Sequence, residues 1–322
     1  MMILLFSVVN KLGYSRIQID SNTDGIDEEE KVCDNRIFNQ NFQFDTWYGP
    51  DTTQGKLFLE VQELIMSAID GYDVCIFAYG QTGSGKTYTM EGASTGMNQG
   101  IIPRTIDSVF EIIKQKENNG WKFRLEWSIQ EIYLDQINDL LDSKNSMKQL
   151  NKSTNYEPTV IEITKPEDLH LLVEKARENR VVECNQLNER SSRSHSIFQL
   201  IIKSNSQSSD GKSMHNHGSI NLIDLAGSER LHKNTNASEK VLNESRAINK
   251  SLSHLRDVIR AIATKETHVP YRNSKLTWLL KNHLGSSGAK TLMIVNISPL
   301  LAHVNETIDS LRFASEVNTW TL

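Results

Sequence analysis

Cysteine is scarce in this chain, and no apolar run in the sequence is long enough to span a bilayer. Cys33, Cys75 and Cys184 are the only cysteines in 322 residues. Their wide spacing argues against a disulfide framework or a cysteine metal cluster and favours a reducing compartment. The apolar start, residues 1–9, also lacks the basic residues and the cleavage site of a secretory signal. We therefore expect a buried strand or an atypical terminus there, and no membrane partner.

Metal-ligand clusters and coiled-coil heptads are also missing from the sequence. His215 and His217 have no nearby cysteine or carboxylate to complete a metal site, so we expect a solvated loop at that point. No heptad series is visible, so the sequence predicts no coiled coil within these residues.

The net charge of −5 conceals an asymmetry along the chain. Residues 230–290 hold twelve Lys or Arg and four Asp or Glu, a net of +8, which leaves −13 for the remainder. A basic segment on an acidic protein indicates an acidic partner surface that is met by one face. The alternative is that these charges lie on solvated helix faces.

The most informative stretch is an apolar run, residues 74–79, that is followed directly by a glycine-rich segment, residues 80–87. The run has the length and the β-branched and aromatic content of a buried strand. The segment fits G-x-x-x-x-G-K-S/T, the P-loop, in which glycines let the backbone approach a phosphate and amides at a helix N-terminus bind it. The alternative is a chance glycine-rich turn. The predicted nucleotide-binding residues of this loop are Gly80, Gln81, Thr82, Gly83, Ser84, Gly85, Lys86 and Thr87.

Three side chains have distinct roles in this P-loop hypothesis. Lys86 would reach the β- and γ-phosphates, and the hydroxyl of Thr87 would ligate Mg²⁺. Asp224 closes a second apolar strand, where a carboxylate would hold Mg²⁺ through water. The alternative for Asp224 is a helix N-cap.

Helix and strand patterns alternate along the chain. The helical patterns cover residues 56–69, 103–116, 167–180, 239–263, 276–284 and 306–317. The strand patterns cover residues 42–45, 74–79, 121–131, 197–203, 219–224 and 292–298. We expect the pair at 197–203 and 219–224 to form a hairpin, and the polar residues 143–158 to form a surface excursion. The alternation predicts a three-layer α/β P-loop NTPase with a central mixed, mostly parallel sheet and no second domain.

Three further stretches, taken with the P-loop, resemble the kinesin motor family over residues 42–318. Residues 188–195 are similar to the family's switch I, N-x-x-S-S-R-S-H, and residues 224–229 to its switch II, D-L-A-G-S-E. Residues 248–253 and 268–277 resemble the helix and the following loop that face the microtubule. The resemblance implies one motor domain over residues 1–322, with residues 1–41 atypical or truncated, that hydrolyses ATP with Mg²⁺.

The resemblance also implies roles for single residues of the two switches. Ser191 and Ser192 would orient water and phosphate oxygens, with a capped turn as the alternative for both. The amide of Gly227 would be free to sense the γ-phosphate. Arg193 and Glu229 would form the salt bridge that closes one switch onto the other for hydrolysis. The implied catalytic residues are therefore Ser192, Arg193, Gly227 and Glu229, and Ser191 and Tyr88 join the nucleotide-binding set, Tyr88 by stacking on the base.

The same resemblance gives the basic segment a partner, because the surface of tubulin is acidic. The implied microtubule-binding residues are Lys250, Arg256, Arg272 and Lys275. Residues 71–79 and the short tail look most like the C-terminal-motor, minus-end-directed kinesins of fungal type, which carry neck and stalk before the motor. This implies a homo- or heterodimer joined by a stalk outside this chain, a cytoplasmic location on microtubules and the spindle, and no nucleic-acid partner.

Several positions depart from the family pattern. The R-x-R-P motif that flanks the adenine in the family is absent, so we expect weaker base selectivity. Near the track, Arg256 replaces a glycine, Leu134-Asp135 replaces Asn-Glu, and Trp278 stands where some members have a basic residue. The main expectation is a microtubule-stimulated ATPase motor. The alternatives are a kinesin-fold microtubule-binding protein with weak or absent ATPase, and a P-loop kinase of small molecules.

Overall fold

The computed structural model describes residues 2–7, 15–19, 40–93, 95–142, 156–182, 192–207, 213–229, 238–286 and 288–319. The helices in this part are α1 (Gln54–Ile69), α2 (Lys86–Met90), α3 (Ile101–Glu117), α4 (Pro166–Val182), α5 (Glu239–Ala263), α6 (Lys275–Leu279) and α7 (Val304–Thr319). The strands are β1 (Met2–Ser7), β2 (Ser15–Ile19), β3 (Gln40–Phe44), β4 (Thr46–Tyr48), β5 (Asp73–Tyr79), β6 (Lys122–Tyr133), β7 (Gln136–Asp139), β8 (Ile161–Ile163), β9 (His195–Gln207), β10 (Ser213–Asp224) and β11 (Lys290–Ile297).

Nine of the described strands form one mixed sheet. Its order is β4-β1-β11-β5-β10-β9-β6-β7, with β8 also paired to β6, while β2 and β3 form a separate antiparallel pair. The central strand β5 runs parallel to β10 and β11. The other pairs described in this sheet are antiparallel. A mixed sheet is thus confirmed, but its expected mostly parallel character is wrong, because hairpins such as β9–β10 can join only antiparallel strands.

The two faces of β5 face two different cores. Side chains alternate across a strand, so a run that is apolar throughout indicates burial on both faces. On one face Val74, Ile76 and Ala78 join a core with α1, α3 and α4. On the other face Cys75, Phe77 and Tyr79 join a core with α5, α6 and α7. The predicted three-layer arrangement is therefore confirmed.

Most of the predicted elements occur where their patterns lie. Helix α5 has the predicted bounds, and the hairpin of β9 and β10 is confirmed. The helix predicted over residues 276–284 is shorter: α6 ends at Leu279 and a 3₁₀ turn follows at Leu280–Asn282. Most of the excursion predicted at residues 143–158 lies outside the described residues.

The start of the chain is part of the main sheet. Strand β1 pairs antiparallel with both β11 and β4, so the strand expected within residues 1–9 is confirmed over Met2–Ser7. His215 and His217, in contrast, are exposed residues of strand β10 and not of a loop. Among the described residues, no cluster of His, Cys, Asp and Glu could hold a metal ion, and no helix has the length and apolar character needed to cross a membrane.

Candidate nucleotide and switch site

The P-loop connects the end of β5 to the start of α2. Gly80, Gly83 and Gly85 have φ angles of 148°, 78° and 100°, which confirms the expectation that this loop needs conformations closed to most side chains. A Cβ atom on Gly80 would collide with the carbonyl oxygen of Asn296. The backbone of this loop therefore depends on glycine both for its torsion angles and for its packing against the end of β11.

Lys86 is buried at the base of this loop. Its side chain is 6% exposed, and its Nζ atom donates to the carbonyl of Gln81 at 2.8 Å. Burial lowers the pKa of Lys86, while the nearby carboxylates of Asp224 and Glu229 act in the opposite direction. Tyr88, two residues further on, is 45% exposed, so its ring lies at the surface beside the loop.

Thr87 and Asp224 form a pair of oxygen ligands beside the loop. The hydroxyl of Thr87 donates to Oδ2 of Asp224 at 2.7 Å. The other carboxylate oxygen, Oδ1, is buried and has no hydrogen-bond partner among the described residues. Hydroxyl and carboxylate oxygens are the ligands that Mg²⁺ prefers. The donor set and the unpaired buried oxygen therefore fit a magnesium ion at this position.

Switch II is in contact with both the P-loop and switch I. The amide of Gly227 donates to the carbonyl of Ser192 at 2.9 Å, so it is already paired in this structure rather than free as expected. A Cβ atom on Gly227 would overlap the carboxylate of Glu229 and the hydroxyl of Thr82. A larger residue here would have to displace these two side chains and the hydrogen bonds between the two residues. Ser191 and the preceding residues of the switch I motif lie outside the described residues.

The expected salt bridge between Arg193 and Glu229 is not formed. Arg193 instead donates through Nη1 to Oε2 of Glu244 on α5, at 2.5 Å. Glu229 accepts hydrogen bonds from the amide and the hydroxyl of Thr82, at 2.8 and 2.5 Å. Each member of the predicted pair thus has another partner, because the P-loop and α5 present groups of the right charge or polarity closer by.

The sequence patterns missed two buried charges near the site. Glu244, which is 3% exposed, also accepts from the hydroxyl of Tyr133. Arg180 of α4 is 6% exposed, and its guanidinium lies 3.4 Å from Glu91, 3.6 Å from Glu131 and 3.9 Å from Asp224. A signal for Arg180 exists, since it continues the buried stripe of α4.

The four basic residues predicted to face a track differ in their exposure and in their contacts. Lys250 and Arg272 are exposed, and Nζ of Lys275 lies 5.5 Å from the centre of the Trp278 ring. Helix α5 packs against α6 and against the short turn that carries Arg272. The guanidinium of Arg256, however, lies 4.6 Å over the ring of Phe313, and its Nε atom is 4.0 Å from Glu316. Arg256 therefore also contacts α7, while its side chain stays 40% exposed, so its role at a track remains a prediction with that of the other three residues.

A glycine loop between a central strand and a helix, with a buried lysine and an adjacent Thr–Asp pair, defines a P-loop nucleoside triphosphatase. A sequence model of the kinesin motor domain matches residues 10–320. The chain therefore belongs to the kinesin motor family.

Individual relatives agree with this assignment. The chain is 44% identical over 305 residues to Kinesin-related protein 2 of Dictyostelium discoideum, a match that covers 89% of this chain and 38% of the relative. It is 45% identical over 292 residues to Carboxy-terminal kinesin 2 of Xenopus laevis, a match that covers 86% of this chain and 44% of that relative. The solved motor domain of the Saccharomyces cerevisiae kinesin-related protein Kar3 is similar with a TM-score of 0.77 and 38% identity, over 98% of this chain and 93% of that one. The chain thus spans about two fifths of the length of these curated relatives.

Proposed function

We propose that this chain is the motor domain of a minus-end-directed microtubule motor, and that microtubules stimulate its hydrolysis of ATP. Its relatives include a carboxy-terminal kinesin, and its structural neighbours include Kar3 motor domains. We place the motor on cytoplasmic microtubules and the spindle. In the whole protein we expect a stalk to join it to a second chain, in the manner of the synthetic heterodimeric coiled coil to which the motor and motor homology domains of Kar3Vik1 are fused in a solved structure. Residues 1–322 would form one motor domain, with residues 1–41 as its atypical N-terminal part.

One observation carries this proposal: the nucleotide loop, both switches and α5 are joined by hydrogen bonds. Glu229 of switch II binds Thr82 of the P-loop, and its carbonyl accepts from the amide side chain of Asn249 on α5 at 3.3 Å. Arg193 of switch I binds Glu244 on the same helix. Because α5 also carries the exposed Lys250, a change at the phosphates can reach a basic surface through a few bonds.

The residues of the site divide the work of phosphoryl transfer. The P-loop amides and Lys86 would bind the phosphates, and Tyr88 would stack on the base. Thr87 and Asp224 would hold a magnesium ion, which supplies positive charge at the phosphate oxygens. Arg193 would leave Glu244 and pair with Glu229 when the switches close, and Ser191 and Ser192 would orient the attacking water and phosphate oxygens.

The decisive experiment measures ATP turnover and microtubule co-sedimentation on the same preparation. We expect microtubules to raise turnover several-fold, and the chain to bind them more tightly with a non-hydrolysable ATP analogue than with ADP. Tight microtubule binding without stimulated turnover would instead favour a kinesin-fold binding protein with weak ATPase. Absence of microtubule binding in both nucleotide states would contradict the proposal. The direction of movement is tested separately by gliding of polarity-marked microtubules over the tethered chain.

A further inference from the structure

His195, the first residue of β9, lies in a buried chain of hydrogen bonds between switch II and α5. The side chain is 3% exposed. Its Nδ1 atom accepts from the amide of Ala226 at 3.0 Å, and its Nε2 atom lies 2.8 Å from Oγ of Ser251 on α5. The hydroxyl of Ser251 in turn donates to the carbonyl of Ile248 at 2.7 Å. Four groups from three segments are thus connected in series.

The chemistry of these groups fixes the position of every hydrogen in the chain. A backbone amide can only donate, so Nδ1 of His195 must be unprotonated. A neutral imidazole then carries its hydrogen on Nε2, which donates to Ser251, and the hydroxyl hydrogen of Ser251 is used by the carbonyl of Ile248. Burial, together with the positive charges of Arg180 and Lys86, lowers the pKa of His195 to about 3, so the ring stays neutral near pH 7.

This series of hydrogen bonds begins beside the amide that would sense the γ-phosphate. Ala226 precedes Gly227, whose amide donates to Ser192. Two consecutive amides of switch II are therefore held by His195 at the start of β9 and by Ser192, three residues before that strand. A turn of the Gly227 amide toward a phosphate would move the peptide group that follows directly on the Ala226 amide bound to His195. At the other end of this hydrogen-bond series, Ser251 directly follows the exposed Lys250 on α5.

We propose that His195 is a positioning residue that transmits the displacement of residues 226–227 to α5 through Ser251. This inference rests on the proposed function, because its output is the microtubule affinity that α5 controls. His195 touches no phosphate-binding group of the P-loop in the described contacts, so its role is to couple the two sites. The contact is distinct from those of Glu244 and Asn249, which use other residues of both switches.

Two variants break the chain at a defined bond. Ser251→Ala removes the oxygen on α5 and leaves the bond between His195 and Ala226 in place. His195→Asn keeps an acceptor near the position of Nδ1, but its shorter side chain cannot reach Ser251. Ser204→Ala is the matched control, since Ser204 is a buried serine on the same strand whose hydroxyl has no hydrogen-bond partner among the described residues.

The measured quantity is the ratio of the microtubule dissociation constants with ADP and with a non-hydrolysable ATP analogue. We expect Ser251→Ala and His195→Asn to reduce this ratio about fivefold or more, the lower end of ordinary coupling between sites. Ser251→Ala should keep basal turnover within about twofold of wild type, since a broken coupling contact does not alter the phosphate site itself. Ser204→Ala should have the wild-type ratio and the wild-type basal turnover. Ser251→Thr, which retains the hydroxyl, should also have the wild-type ratio.

The outcomes separate this inference from the proposed function. A wild-type ratio near one would overturn the proposed function. If the wild-type ratio is large and Ser251→Ala preserves it, the coupling role of His195 is overturned, even when His195→Asn fails to fold. If Ser251→Ala lowers thermal stability and basal turnover but leaves the ratio unchanged, the hydrogen bonds through His195 have only a structural role, and the proposed coupling is likewise overturned.

Discussion

Glu244 offers the sharpest test of how the switches work, because it binds Arg193, the predicted partner of Glu229. Its buried carboxylate accepts from Arg193 and from the hydroxyl of Tyr133, both at 2.5 Å. The substitution Glu244→Gln keeps the shape and an acceptor for Tyr133 but removes the charge that attracts Arg193. We predict that this variant releases Arg193 toward Glu229 and thereby raises basal ATP turnover.

The size of the effect follows from the exposure of the pair. A hydrogen bond to a charged group contributes about 1.5–3 kcal/mol, and the side chain of Arg193 is 25% exposed, so we take the lower value of about 1.5 kcal/mol. Since about 1.4 kcal/mol corresponds to a tenfold change in an equilibrium, Arg193 becomes about tenfold more available to Glu229. Basal turnover should therefore rise by at most about tenfold, and stimulation by microtubules should fall in proportion.

Two measurements check this reasoning. Urea unfolding without nucleotide of Glu244→Gln, Arg193→Ala and the double variant should give a coupling energy of about 1.5 kcal/mol. Single-turnover hydrolysis then compares Glu244→Gln with Asp257→Asn, a control that removes an exposed charge from the same helix. Additive effects on stability would refute the pairing. Turnover as low as that of Arg193→Ala would mean that Glu244 supports the productive arrangement and does not compete with it.

Four further predictions address the phosphates, the base, the track and pH. Lys86→Ala should abolish productive ATP binding, because the buried positive charge at the P-loop is lost; wild-type affinity for a fluorescent ATP analogue would contradict this. ATP and GTP should support turnover within about one order of magnitude, roughly 1.4 kcal/mol, because stacking on Tyr88 tolerates any base, and a strong ATP preference in parallel assays would exclude this. Lys275→Glu should weaken microtubule co-sedimentation at low salt more than at high salt, whereas Lys175→Glu, on α4 in the opposite layer, should not; equal effects would rule out the proposed face. Stability in urea should fall by up to about 1.4 kcal/mol per pH unit below pH 6.5, because folding lowers the pKa of His195 to about 3 and the unfolded chain then binds more protons. His195→Asn should flatten that part of the profile, and an unchanged profile would show that other groups dominate.

Local patterns were sufficient for the nucleotide loop and for most helices. The spacing of Gly80, Gly85 and Lys86 depends on neighbours in the chain, and so do the bounds of α5. The choice of neighbouring strands in the sheet does not, since β5 lies between β10 and β11, which are far away in sequence. The same limit explains the partner of Arg193, because the sequence offers Glu229 and Glu244 equally and only the fold decides which carboxylate is near.

Helix geometry alone shows that Arg256 and Lys250 point in different directions from α5. Each residue of an α-helix advances about 100°, so the six steps from Lys250 to Arg256 leave the two side chains about 120° apart around α5. A helix that lies flat on a track cannot present both directions to it equally. The structure places Arg256 against Phe313 and Glu316 of α7. The arginine at the position of the family's glycine thus contributes to the packing of α5 on α7. We predict that a track surface on this helix includes Lys250 and its neighbours beyond the helix end, Arg272 and Lys275.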